Sequence, residues 1–260
     1  STLTGATLNS SGAFKVDSGA TMAATAAQLN GRGVTAGANG AGSVNVTALE
    51  STLAANLSSI NSALTSTAII TATGAAKTFT GNLSTIDTLT VDGNDTSTLT
   101  GATLNSSGAF KVDSGATMAA TAAQLNGRGV TAGDNGAGSV SVTALESTLG
   151  ANLSSINTAI TASAALDSTG SVVLGASANL TNVDTINISG DGVVTSHASA
   201  TLGAGTYAVG NDATLRLTAA KANGLTANGG GTADITELES TLAADLSDIN
   251  ASLTSTATIT

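Results

Sequence analysis

The sequence predicts a mainly β repeat fold, a β-solenoid (β-helix) with short inserted α-helices, and three observations lead there. The 260-residue chain repeats itself, its short apolar stretches alternate with small polar residues, and its composition offers little from which to build an ordinary core. Charged residues make up 9% of the chain, against roughly 25% in average soluble domains. Aromatics are 2%, glycine reaches 31, and proline, cysteine and tryptophan are absent. A core of alanine and small aliphatic side chains has to be laid down in thin regular layers, which repetition supplies.

The repetition is direct. Ser1 to Thr65 recurs as Ser97 to Thr161, 96 residues on, with exchanges only at Ala38/Asp134, Asn45/Ser141, Ala54/Gly150, Ser62/Thr158 and Leu64/Ile160. A diverged third copy follows. Asn82-Leu-Ser-Thr-Ile-Asp-Thr-Leu-Thr-Val91 returns as Asn179-Leu-Thr-Asn-Val-Asp-Thr-Ile-Asn-Ile188, and Thr47-Ala-Leu-Glu-Ser-Thr-Leu53 returns as Thr236-Glu-Leu-Glu-Ser-Thr-Leu242. Residues 1–96 and 97–192 are two units and 193–260 a partial third, expected to stack as one continuous solenoid.

Within a unit the strands come first. Thr88-Leu-Thr-Val91, Phe110-Lys-Val112, Ser139-Val-Ser-Val142 and Thr185-Ile-Asn-Ile188 alternate polar and apolar residues, the period of a half-buried strand. Asp92-Gly93, Asn94-Asp95, Asp191-Gly192 and Asn211-Asp212 supply turns. Two helices are expected between strands. Thr25 and Gln28 form a capping box over a short helix that Gly31 ends, and Phe14, Phe110 and Tyr207, at one phase of their units, are expected to face inward. Leu49, Leu53, Leu57, Ile60 and Leu64 recur at steps of four, four, three and four, which predicts one face of a helix of about four turns, with Thr47 and Glu50 as its box. Packing on the solenoid's own sheet suits that stripe better than a coiled coil, because it lacks flanking charges.

The cadence of Asn82 to Val91 and Asn179 to Ile188, with Thr25-Ala-Ala-Gln-Leu-Asn-Gly31 and Gly42-Ser-Val-Asn-Val-Thr47, resembles the repeats of bacterial surface-layer proteins and giant repetitive adhesins. The resemblance covers nearly the whole chain. It implies a β-solenoid exported to the bacterial cell surface, commonly with bound calcium, assembling into lattices or fibres. The calcium-binding nonapeptide of such proteins is nowhere intact, and Gly229-Gly-Gly-Thr-Ala-Asp234-Ile only approximates it.

The side chains that carry chemistry are few. A net charge of −10 with 7 basic residues argues against nucleic acid as a partner, and no apolar run approaches the ~20 residues of a membrane helix. His197 is the single histidine; Asp191 and Ser196 lie near it, but no nucleophile elbow accompanies them, and it reads as a turn residue. No enzyme is predicted. Oxygen-rich turns are the calcium candidates, with Asp92, Asn94, Asp95 and Asp191 as ligands, set against the plainer reading that Asp and Asn suit turn geometry. Recurring T-x-T elements, among them Thr78/Thr80, Thr88/Thr90, Thr98/Thr100 and Thr254/Thr256/Thr258/Thr260, raise an ice- or crystal-binding array as a further alternative.

The ends complete the expectation. Leu3 and Thr4 at one end and Thr258 and Ile259 at the other lie in uncharged, proline-free stretches that would leave strand edges open. Such edges add another turn, so the expected partner is the protein itself, head to tail or in a lattice. The function expected is a non-enzymatic extracellular structural protein of a surface layer, sheath or filament, with the stalk of a giant adhesin as the alternative.

Overall fold

A computed structural model describes residues 1–3, 5–7, 12–240 and 243–259. The chain divides into two compact units, Ser1–Ala120 with Arg128–Val140, and Thr121–Gly127 with Ser141–Thr260. Their limits do not follow the sequence repeat. Both units are β-solenoids of short parallel strands.

In the first unit six strands form one sheet, in the order Val130–Ala132, Ala109–Val112, Thr88–Gly93, Thr65–Ala72, Ser43–Thr47, Thr21–Thr25. Register partners such as Met22 and Val44, Ala68 and Leu89, and Phe110 and Val130 lie 22, 21 and 20 residues apart, so one solenoid turn uses about that many residues. The strand Thr65–Ala72 shows why these sequences suit the fold. Its even-numbered residues Ser66, Ala68, Ile70 and Ala72 are buried and Thr65 and Thr67 are exposed, the two-residue alternation of a pleated strand with one wet face. Stacking in register turns that alternation into columns. Ala24, Val46, Ala68, Leu89, Phe110 and Val130 make one buried column, each side chain against its partner in the next strand.

The second unit repeats the plan. Ala164, Ile186, Tyr207 and Ala227 stack inward from the strands Thr161–Asp167, Thr185–Ser189, Thr206–Val209 and Thr226–Gly229. A five-stranded sheet runs Val172–Leu174, Val193–Ser196, Thr214–Thr218, Thr232–Thr236, Thr254–Ala257. Phe110 and Tyr207 are buried, as their shared phase predicts, and the Tyr207 hydroxyl donates to Leu202 O at 2.6 Å, which satisfies the one polar atom it carries inside. Phe14 is only half-buried.

The sequence repeat and the solenoid turn are not commensurate. A 96-residue unit amounts to about four and a half turns of this length. Identical segments therefore land on different sheets. Thr21–Thr25 and Thr117–Thr121 both read Thr-Met-Ala-Ala-Thr and share local pairing, Thr2 with Ala23 and Thr98 with Ala119, yet they stand in different sheets.

Of the two expected helices, one forms. Ala26–Leu29 is a single turn with Thr25 as its N-cap: Gln28 N–H donates to Thr25 Oγ1 at 3.2 Å and Thr25 N–H to Gln28 Oε1 at 2.9 Å. The same box closes over Ala122–Leu125, and Thr218 caps Ala219–Ala222. The four-turn helix over Leu49 to Leu64 does not form. Leu49–Ser51 is a short 3-10 turn whose preceding residue, Ala48, sits at φ 54°, in the left-handed region, and has no side-chain cap bond. Glu50 does not reach back to Thr47; its carboxylate accepts the Thr71 N–H at 3.1 Å. Beyond it the chain bends at Asn56 and Asn61, whose Oδ1 atoms accept the N–H of Ser58 and Ala63. Leu57, Ile60 and Leu64 still point inward, but from turns, and Leu53 is half-buried.

Candidate functional site

The acidic turns prove to be internally engaged. At the end of Thr88–Gly93, Asp92 Oδ1 accepts the Gly93 N–H at 2.7 Å, and the N–H groups of Asn94 and Asp95 both donate to Ala72 O, at 3.0 and 3.1 Å. Gly93 is at φ +103°, and a Cβ there would stand 2.0 Å from that same carbonyl, so Asp-Gly-Asn-Asp is the sequence of a tight turn pressed onto the strand before it. Asp191 is exposed, in a turn of the second unit. Among the described residues no three of His, Cys, Asp and Glu form a set that could hold a metal ion. Asp234, in the glycine-rich stretch, is taken by Arg216 Nε at 2.6 Å and Thr256 Oγ1 at 3.0 Å, and the Arg216 bond holds its carboxyl below the usual range. The calcium expectation gains no support from this geometry. His197 is exposed, and its Nδ1 accepts the Ser199 N–H at 3.1 Å.

Two carboxylates escaped the sequence reading. Asp113 is 3% exposed; its Oδ1 accepts the Asn135 N–H at 3.0 Å, and Asp17 does the same for Asn39. Both anchor a tight turn of the following solenoid turn, where Gly133 leaves room for the carboxylate: a Cβ would meet Asp113 Oδ1 at 1.8 Å. The Gly-x-Asn-Gly pattern of Gly37 to Gly40 and Gly133 to Gly136 was the available signal.

The threonines do not make a uniform array. Thr88 and Thr90 share a strand face, but Thr90 has Ile69 and Lys111 beside it in register, and Lys111 is paired with Asp134 at 2.9 Å. Several hydroxyls turn back onto the preceding strand, as from Thr47 to Ala24 O and Thr131 to Phe110 O.

Thr254–Ala257 is exposed at all four residues and, among the described residues, pairs only with Thr232–Thr236. Ile259 is 73% exposed, one of two large apolar side chains left in solvent among the described residues. An opening of about 220 Å³ is lined by Ile235, Leu246, Ile249 and Ala257. In the first unit, Phe14–Val16 pairs only with Val34–Ala36 among the described residues, next to an opening of about 260 Å³ lined by Leu3, Phe14, Val16 and Met22. Leu3 is half-buried and Thr258 exposed; Thr258 N–H donates to Ile235 O at 2.9 Å. Thr4 and Thr260 lie outside the described residues. No helix among the described residues is long and apolar enough to cross a membrane.

No family model matches this chain, and no curated protein or solved structure is similar to it.

Proposed function

We propose that this protein is a non-enzymatic structural element of an extracellular assembly, a surface layer, sheath or filament extended by stacking solenoid turns on its end faces. The observation that carries the reading is the in-register parallel stacking itself: turns of about 21 residues bury one column from Ala24 through Val46, Ala68, Leu89 and Phe110 to Val130, so that a turn of this sequence seats on another of the same kind. A parallel edge presents unpaired N–H and C=O groups in a fixed register and templates the next strand. The net charge of −10 keeps lateral faces apart, so growth is directed along the stack. The resemblance to surface-layer repeats supports the extracellular setting. Electron microscopy of the native protein taken from its source tests the reading: linear or planar assemblies are the expected result, and dispersed single particles at native concentration overturn it.

A further inference from the structure

Asparagine followed by glycine occurs six times, at Asn30, Asn39, Asn126, Asn135, Asn223 and Asn228. A glycine in that place lets its backbone nitrogen approach the asparagine side chain, because it carries no Cβ to obstruct the way. The fold treats the six pairs differently. Asn30 Oδ1 accepts the Asn56 N–H at 2.8 Å while the Gly31 N–H donates to Asn56 O at 2.8 Å, so the side chain and the following nitrogen are both tied to the next solenoid turn. Asn126 with Gly127 and Asn223 with Gly224 repeat that lock, on Asn152 and Asp245. Asn228 and Gly229 lie inside the strand Thr226–Gly229, in register with Ala208 and Val209.

Asn39 and Asn135 are placed otherwise. Each is exposed at the tip of a tight turn closed by Gly37 and Gly40, or by Gly133 and Gly136. Among the described residues neither Oδ1 accepts a hydrogen bond, and the following nitrogens are held only within the turn, the Gly40 N–H by Gly37 O at 3.4 Å and the Gly136 N–H by Gly133 O at 3.3 Å. Such a tip opens locally at less cost than a bond between solenoid turns breaks. One of the two also faces a buried charge. Asn135 N–H donates to Asp113 Oδ1 at 3.0 Å and its Nδ2 to Asp113 Oδ2 at 3.4 Å, and Asp113 is 3% exposed. Asn39 makes the backbone bond to Asp17, which is half-buried.

We propose that Asn39 and Asn135 are self-modifying sites, at which the folded protein selectively loses the side-chain amide. The Gly40 or Gly136 nitrogen attacks the asparagine Cγ, the Cγ–Nδ2 bond breaks, and ammonia leaves with the proton that the attacking nitrogen gives up. Water then opens the five-membered imide at either carbonyl, which leaves aspartate or isoaspartate. At 135 the aspartate product sets a carboxylate where Nδ2 donated to a buried one. The isoaspartate product adds a methylene to the backbone of a turn that the Gly133 and Gly138 N–H groups hold on Val112 O, at 3.0 and 3.1 Å. The inference is independent of the assembly reading.

The test incubates the whole chain in mildly alkaline buffer, folded and in denaturant, and follows each Asn-Gly pair by peptide mass spectrometry with isoaspartate-specific methylation. In denaturant all six pairs should convert at similar rates. In the folded chain Asn39 and Asn135 should convert at least about tenfold faster than the other four. Asn135→Asp, which is the aspartate product, should melt below Asn39→Asp, because only the former meets a buried carboxylate. Equal conversion of all pairs in the folded chain, or none at Asn39 and Asn135, overturns the proposal. Equal melting of the two variants overturns the effect assigned to Asp113.

Discussion

Thr25 and Thr47 are each followed three residues later by a side chain able to close a capping box, Gln28 and Glu50, and each precedes a leucine-bearing stretch. Only Thr25 caps a helix. Both threonines end a strand, so the difference lies in the next residue: Ala26 enters the helix, whereas Ala48 takes a left-handed conformation that turns the chain away. Glu50 is then drawn to the Thr71 N–H of the following turn, a partner no local pattern announces. Apolar side chains spaced three or four apart thus arise from two sources, a helix face or a succession of short turns that each send one side chain inward.

The largest effect expected from this contrast is at Leu57. It is fully buried, so Leu57→Ala should cost about 2–5 kcal/mol in denaturant unfolding, whereas half-buried Leu53→Ala should cost less than about half of that. Equal costs would restore a helical stripe. Next comes the cap. Thr25→Ala should cost about 1 kcal/mol. Thr47→Ala, which loses only a 3.4 Å bond from its hydroxyl to Ala24 O, should cost distinctly less in the same melts. A smaller pair of opposite sign sharpens the point. Ala48→Gly relieves a left-handed alanine and should be neutral or stabilising by up to about 1 kcal/mol, while Ala27→Gly inside the helix should cost about 0.5–1 kcal/mol.

The smallest effect is a pH response at the bend. Asp245 occupies the position of Asn56 and accepts the Ser247 N–H and hydroxyl at 3.0 and 2.7 Å, and the hydroxyl bond first, then the backbone bond, holds its carboxyl below the usual range. A depressed carboxyl contributes stability above its unfolded value and loses it as pH falls through the folded one. Asp245→Asn should therefore flatten a slight acid-side loss of stability, and an NMR titration showing Asp245 at or above an ordinary carboxyl value would remove the basis for it.

Much of the fold was legible in the residues themselves. Two-residue alternation marked Thr88–Gly93 and Thr185–Ser189 as strands, Asp-Gly and Asn-Asp marked turns, Thr25 with Gln28 marked a helix start, and near identity of Ser1 to Thr65 with Ser97 to Thr161 marked a solenoid. These are properties of neighbouring residues, where backbone sterics and local hydrogen bonds decide. What the tertiary structure alone decided is which sheet each strand joins. A turn of about 21 residues does not divide a 96-residue repeat evenly, so the identical Thr21–Thr25 and Thr117–Thr121 strands joined different sheets, and Glu50, expected in a capping box with Thr47, accepts the Thr71 N–H one turn on. Pairing in a parallel solenoid joins residues some twenty positions apart, and which side chain covers which depends on register set by the whole stack, not by the sequence on either side of it.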